Sequence, residues 1–261
     1  NLEMKTKSTE LSHLLSLVPK EFLKSAKGLS TTGKFSFSMF VKGEIADSLQ
    51  PEINGKFSLV GGTVKYSQLP RAITDINVSG EFEKNQNTGK FSVDKLNLNI
   101  GNNPIEGKLS VTDFENPNLS AYFKGKLNLG EIGEFYPLEK GTSLGGVISS
   151  NISLSGKAKI PTSIKADGKI EFQNVSIATS TSPKPVQNLN GVINFNNQLI
   201  ESKQLVMNIG ESDLKLAFTV KNYLAMVMGK AAESGKPSAS VTLTSTRLRT
   251  ADIVSESTKK D

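Results

Sequence analysis

Cysteine and tryptophan are both missing from this 261-residue chain, and aromatic residues make up only 7% of it. Without cysteine there is no disulfide and no thiolate chemistry. The single histidine, His13, lies in a stretch that reads as an amphipathic helix, and no Gly-x-Ser-x-Gly elbow accompanies it. It is read as structural. Long hydrophobic runs are also lacking. The best, Leu224 to Met228, falls far short of the roughly 18 apolar residues that span a bilayer. The opening NLEMKTKSTE has no apolar core of the signal-peptide kind. Metal-ligand spacing is absent as well: NPIEG and DFENPN read as turns, not calcium loops. Glu44, Glu52, Glu81, Glu171 and Asp213 fall at turn ends or polar strand positions. A glycosidase would also favour aromatic platforms that four tyrosines do not supply. The sequence therefore predicts no enzyme, no catalytic residue, no metal and no cofactor.

The net charge is +6, but the lysines are scattered singly, as in GKF, GKL and GKI. With no basic block and no aromatic platform between the basic residues, nucleic acid is not an expected partner. The apolar fraction, 36%, allows only a thin core and suits sheets with one face in water.

What the chain has in abundance is alternation. In KFSFSMFV, Phe35, Phe37, Met39 and Val41 share one face. Leu96, Leu98 and Ile100 do so in DKLNLNIG, and Leu214, Leu216, Phe218 and Val220 in DLKLAFTV. Period two over so many segments predicts half-buried antiparallel strands, with glycine at turns and bulges. The sequons at Asn77, Asn118, Asn151 and Asn174 read as polar strand and turn residues. Helical signals are few: Thr9 to Ala26, interrupted at Pro19; LGEIGEFYPLEKG; KNYLAMVMGKAAES; and TADIVSESTKKD.

The phrase LNIG (Leu98 to Gly101) returns as MNIG (Met207 to Gly210), and its neighbours return too. One displacement carries Gly33, Gly43 and Gly55 onto Gly146, Gly156 and Gly168, and Phe57 onto Ile170. Shortened by two residues, it lays NVSGEF on NLNGVI with Gly80 on Gly191. Shortened by two more, it lays LNIG on MNIG. LNLGEI then resembles LRTADI, across an insertion at Ala225 to Gly235 expected to project as a loop or helix. Displacements that change only at loops indicate a duplicated unit. The predicted organisation is a helical connector at 1–32, repeat units at 33–145 and 146–253, and a tail or start of a next segment at 254–261. Because both ends fall within repeats, the chain is expected to be a segment of a longer array.

The segments KADGKIEFQNVSI and PKPVQNLNGVINFNNQLIESKQLVMNIGESDLKLAFTVKNYL resemble the AsmA-like family of bacterial envelope proteins. The family pattern is a glycine-punctuated strand pair, a loop with proline, "nlnG.i.f", then "niG.sdl.l.g.v" and "nyl". It covers Lys165 to Leu224, and more loosely Ile53 to Phe114. Ala217 stands where a glycine is usual, while Gly107 keeps it. The resemblance, which extends to TamB-like proteins, implies an elongated, curved β-sheet with an apolar trough. It also implies a bacterial periplasmic location, an inner-membrane anchor outside this chain, and a part in phospholipid movement and outer-membrane integrity.

The combined expectation is an all-β fold with a few short helices, built of duplicated antiparallel units with one apolar face. Phospholipid or acyl chains are the expected ligand. Their contacts are expected at Leu96, Leu98, Ile100, Leu109, Val111, Leu205, Met207, Ile209, Leu216 and Phe218, as one continuous row. The alternative is a structural or adhesive β-repeat scaffold that binds envelope proteins.

Overall fold

The computed structural model describes residues 1–15, 28–43, 51–160, 163–180, 184–223 and 236–253. It is all-β and antiparallel, with three short helical turns among these residues. Two compact units divide the chain, Asn1–Lys124 with Ser153–Ile160, and Gly125–Ile152 with Pro161–Asp261.

In the first unit, strands β1 (Leu2–Glu10), β2 (Leu29–Lys42), β3 (Glu52–Tyr66), β4 (Ile73–Lys84), β5 (Gly89–Ile100) and β6 (Asn103–Thr112) pair in chain order. Helix α1 (Leu11–Leu15) follows β1. Strands β7 (Asn118–Asn128) and β8 (Ser143–Lys157) contribute residues to both units. In the second unit, β9 (Lys165–Ala178), β10 (Val186–Phe195), β11 (Leu199–Ile209), β12 (Ser212–Lys221) and β13 (Ser238–Thr244) also pair in chain order. A 3-10 turn spans Leu129–Glu134, and α2 spans Thr250–Ile253. No helix among the described residues is long and apolar enough to cross a membrane.

Three expectations need correction. The connector at 1–32 is not simply helical. Leu2, Met4 and Thr6 alternate and pair with Val41, Met39 and Phe37, so Leu2–Glu10 is a strand. The helix expected from Thr9 begins at Leu11, and its continuation past Leu15 lies outside the described residues, as do the insertion at 225–235 and the tail at 254–261. The compact units also do not break at 145/146, because Ser153–Ile160 groups with the first and Gly125–Ile152 with the second. Repeats record what was copied, whereas compactness records which strands pair.

The third correction concerns the alignment of the copies. Gly55, Phe57 and Leu59 face Phe82, Gly80 and Val78, while Gly168, Ile170 and Phe172 face Phe195, Ile193 and Gly191. Register therefore makes Phe82 equivalent to Phe195, Gly80 to Ile193 and Gly191 to Val78. Gly80 does not correspond to Gly191; aligning glycine on glycine shifted this strand by two residues. The length change falls instead in the following hairpin, where Asn85 and Asn196 make the same turn. Each side-chain Oδ1 accepts from the backbone N–H groups two and three residues on.

The LNIG copies have a physical reason. Asp75 and Asn188 both have positive φ, 53° and 54°. Asn77 and Asn190 each donate to the carbonyl of that residue, at 2.7 and 2.8 Å. Each also accepts the backbone N–H of Gly61 or Asn174, positions that again share a positive φ. Asn99 of LNIG and Asn208 of MNIG bond the side chains of Asp75 and Asn188 at 2.8 and 3.1 Å. Gly101 and Gly210, at φ 62° and 58°, open the two-residue loops that follow, where positive φ favours glycine.

Candidate apolar face

Each unit has one apolar sheet face, and cross-strand register defines it. In the first unit, one row runs Met4, Met39, Gly55, Phe82, Phe91, Val111. The next runs Thr6, Phe37, Phe57, Gly80, Val93, Leu109, and a third Thr9, Phe35, Leu59, Val78, Leu96, Gly107. The opposite face carries Lys5, Ser38, Lys56, Glu81, Ser92 and Ser110 in one row and Ser36, Ser58 and Ser79 in another. A groove of about 440 Å³ crosses this polar side, lined by Lys5, Ser36, Ser38, Lys56, Ser58 and Ser79 among others.

Two glycines shape the apolar face. A Cβ on Gly55 would lie 2.0 Å from Phe82 Cε1, and one on Gly80 would lie 2.6 Å from Phe57 Cζ. Each ring lies across a glycine to stack on a ring beyond. Phe82 meets Phe37 at a centroid distance of 6.3 Å, and Phe57 meets Phe91 at 5.9 Å. Glycine here gives room for an aromatic neighbour, so its role is structural.

The second unit repeats the arrangement with aliphatic residues and phenylalanine. Phe172, Gly191, Leu205, Leu216 and Leu243 form one row, and Gly168, Phe195, Ile200, Val220 and Ala239 another. Leu205 covers Gly191, where a Cβ would be 2.7 Å from Leu205 Cδ2.

A bulge in each unit resets the alternation. Phe91 and Val93 lie at odd positions, Leu96, Leu98 and Ile100 at even ones, yet register puts all five on one face. The strand gains one residue between Val93 and Leu96, and correspondingly between Ser202 and Leu205. Leu96, Leu98, Ile100, Leu109 and Val111 thus share the apolar face of the first unit, and Leu205, Met207, Ile209, Leu216 and Phe218 that of the second. Leu205 alone among these ten is buried, at 6% exposure. It belongs to the floor of the face rather than its accessible surface.

Sequence reasoning passed over much of this face. Phe57, Val78, Phe82 and Phe91 belong to it in the first unit, and Ile170, Phe172, Ile193, Phe195 and Ile200 in the second. Their signal is the same alternation that is read in β2, β5 and β12, extended across the neighbouring strands.

The face is barely covered. Among the described residues the buried apolar side chains are Leu129, Phe135, Ala166, Val175, Leu205 and Leu214. Phe35, Phe37, Met39, Phe57, Leu59 and Phe82 are all only half-buried. A face packed under a second layer would hold such residues near full burial.

Two carboxylates, Asp213 and Asp252, bond the backbone. Asp213, at the start of β12, accepts from Thr246 Oγ1 at 2.8 Å and from the backbone N–H groups of Thr246 and Arg247, and its own N–H donates to the Arg247 carbonyl. The Thr246 hydroxyl and these N–H groups hold its carboxyl down at about 2. Asp252 is buried. Burial opposes its ionisation, but the Ser212 hydroxyl, the Glu211 N–H and nearby Arg249 outweigh that and keep its pKa below the ordinary value. Glu211 pairs with Arg247 and Arg249. The GESD segment therefore fastens the stretch after β13 to the β11–β12 turn. No group of metal-binding side chains occurs among the described residues.

No protein-family model, curated protein or solved structure matches the chain.

Proposed function

We propose that the chain is a segment of a periplasmic, membrane-anchored AsmA-like protein that binds or conducts phospholipid along its apolar sheet faces and so supports outer-membrane assembly or integrity. The observation that carries this reading is the sheet face of large apolar side chains that remain half-exposed in each unit. Such a surface needs a cover, and acyl chains supply one. Each buried CH₂ is worth about 0.8 kcal/mol, so a sixteen-carbon chain represents about 12 kcal/mol of gross transfer energy. A protein face as apolar as the bilayer need not provide that energy; it has only to keep the chain out of water in transit. No head-group site is required for this. Native mass spectrometry after gentle purification is expected to find bound phospholipid, and the chain is expected to move labelled phospholipid between liposomes. A lipid-free protein inactive in transfer would overturn the reading.

The second reading, a scaffold that binds envelope proteins through strand edges, draws on β13, whose seven residues are all exposed. Capture of a defined protein partner without lipid transfer would favour it.

A further inference from the structure

The polar face of the first unit carries one residue out of keeping with it. Phe40 alternates with Ser36 and Ser38 rather than with Phe35, Phe37 and Met39, so its ring stands on the polar side. It is 41% exposed and lies between Glu3 of β1 and Asn54 of β3. Folding does not demand a ring there. The displacement that carries Gly43 onto Gly156 carries Phe40 onto Ser153, which is exposed, while Met39 and Val41 fall on Ile152 and Leu154. The second copy keeps the apolar neighbours and dispenses with the ring.

The ring borders a depression. A hollow of about 240 Å³ is lined by Phe40, Asn54 and Glu83, and it shares Lys5, Ser38, Lys56 and Glu81 with the groove of about 440 Å³. All of these residues belong to the first unit. Ser36, Ser58 and Ser79 form one row across β2, β3 and β4, on strands about 4.8 Å apart. Serine leaves open a floor that longer side chains would fill. Among the described residues the hydroxyls of Ser36, Ser38, Ser58 and Ser79 and the Lys56 ammonium have no hydrogen-bonding partner. Lys5 pairs with Glu3, and Lys90 with Glu81.

We propose that this depression binds a saccharide, with a sugar ring stacked on Phe40 and sugar hydroxyls bonded to the serine row, Lys56 and Asn54. A sugar ring presents C–H groups on its faces, which an aromatic ring can cover, and hydroxyls around its rim. Those hydroxyls both donate and accept, and the serine, amide, ammonium and carboxylate groups here meet them in both senses. The ion pairs leave little net field over the groove, so neither a polyanion nor a polycation is favoured. An open groove with a single ring covers little of its ligand, and binding is weak. A free polysaccharide and the sugar head group of a glycolipid present the same chemistry. The site lies on the face opposite the apolar one, so the inference does not rest on the lipid reading.

The chain has no tryptophan, so Phe40→Trp supplies a single fluorophore at the site. Its emission is expected to shift to the blue and saturate as maltotetraose, cellotetraose or chitotetraose is added. With phenylalanine in place, calorimetric titration gives the dissociation constant, which Phe40→Ser should raise at least about tenfold. Ser58→Gln fills the floor and should do the same. Both variants should fold, because the second copy has Ser153 and the similarly long Glu171 at these positions; circular dichroism checks this. Phosphatidylcholine vesicles with and without glucosyl diacylglycerol separate the two sources. Binding of the free oligosaccharides identifies a soluble glycan, and binding of sugar-bearing vesicles alone identifies a glycolipid. Phe40→Ser should leave phospholipid transfer unchanged, and Leu98→Asp should leave sugar binding unchanged. The proposal is overturned if neither the three oligosaccharides nor the sugar-bearing vesicles bind. It is equally overturned if Phe40→Ser and Ser58→Gln bind as well as the unmodified chain, or if tripolyphosphate or spermine binds more tightly than any sugar.

Discussion

Leu205 and Leu216 are cross-strand partners on one face of the second unit, and they are expected to respond very differently to the same substitution. Leu216 is half-buried, whereas Leu205 is buried at 6% exposure over Gly191. Full burial of a leucine is worth about 1.5–3 kcal/mol. Leu216→Asp forfeits about half of that, and its carboxylate stays in water because the face is open. The expected loss is about 0.75–1.5 kcal/mol, a few degrees in melting temperature. Leu205→Asp forfeits the whole amount and strands a carboxylate among apolar groups, which adds several kcal/mol. The sum approaches the entire stability of a domain, about 5–15 kcal/mol, and the second unit should lose its cooperative melt. Leu98→Asp in the first unit, also half-buried, should behave like Leu216→Asp. Thermal unfolding by circular dichroism and phospholipid transfer between liposomes are to be measured on the same preparations. Leu98→Asp and Leu216→Asp are expected to remain folded and to slow transfer. If Leu216→Asp unfolds as Leu205→Asp does, the face is a closed core; if it folds and transfers lipid undiminished, the face is not the path.

Gly80→Ala would set a Cβ 2.0 Å from the Ser92 carbonyl oxygen and is expected to destabilise the first unit by about 2–3 kcal/mol in urea unfolding. Gly61→Ala meets nothing within 4 Å, so only its positive φ of 61° is strained, and about 1 kcal/mol is expected. Phe82→Ala uncovers Gly55 and should cost about 2 kcal/mol, less than for a fully buried ring because Phe82 is half-buried. Gly55→Ala clashes with that ring, so the double substitution should be less destabilising than the sum of the two, read as a coupling energy in a double-mutant cycle. The folded-state pKa of Asp213, about 2, lies below the ordinary 3.8. Its contribution is therefore complete above the unfolded value and is lost as pH falls toward 2. Unfolding followed from pH 6 to 2 should show a smaller acid-induced loss for Asp213→Asn than for the unmodified chain; equal slopes would exclude this network as a source of acid sensitivity.

The strands, their antiparallel pairing and the duplication were legible because period two and repeated turn residues are local properties. The ten face residues could be grouped because alternation assigns them to a side. Register was less accessible. Gly80 and Gly191 sit in similar phrases, but cross-strand partners decide equivalence, and those partners are distant in sequence. The strand at Leu2–Glu10 was missed because the helical spacing of Leu11, Leu14 and Leu15 was extended backward over it. Asp75 and Asn188 were not singled out, since a positive φ at a non-glycine residue becomes visible only with its bonds to Asn77 and Asn190. The Ser212–Asp252 contact joins residues far apart in the chain, and nothing in either segment announces the other.

Comparison of the two copies shows what the fold holds fixed. Phe57 and Phe91 of the first unit correspond to Ile170 and Ile200 of the second, and Leu59 to Phe172, so rings and aliphatic chains exchange on the apolar face. Asn77, Asn99 and Gly101 correspond to Asn190, Asn208 and Gly210, and these keep their backbone roles. A hydrogen-bonding pocket would not survive such exchange, because its polar groups discriminate strongly against a changed partner. An apolar surface does survive it, because transfer energy follows area rather than identity. The paired bulges after Val93 and Ser202 point the same way. A one-residue phase change sends every later side chain to the other face. In both copies the bulge coincides with the change of phase in the sequence and keeps the large apolar residues together. Such a correction matters only for a sheet with one side that must stay apolar.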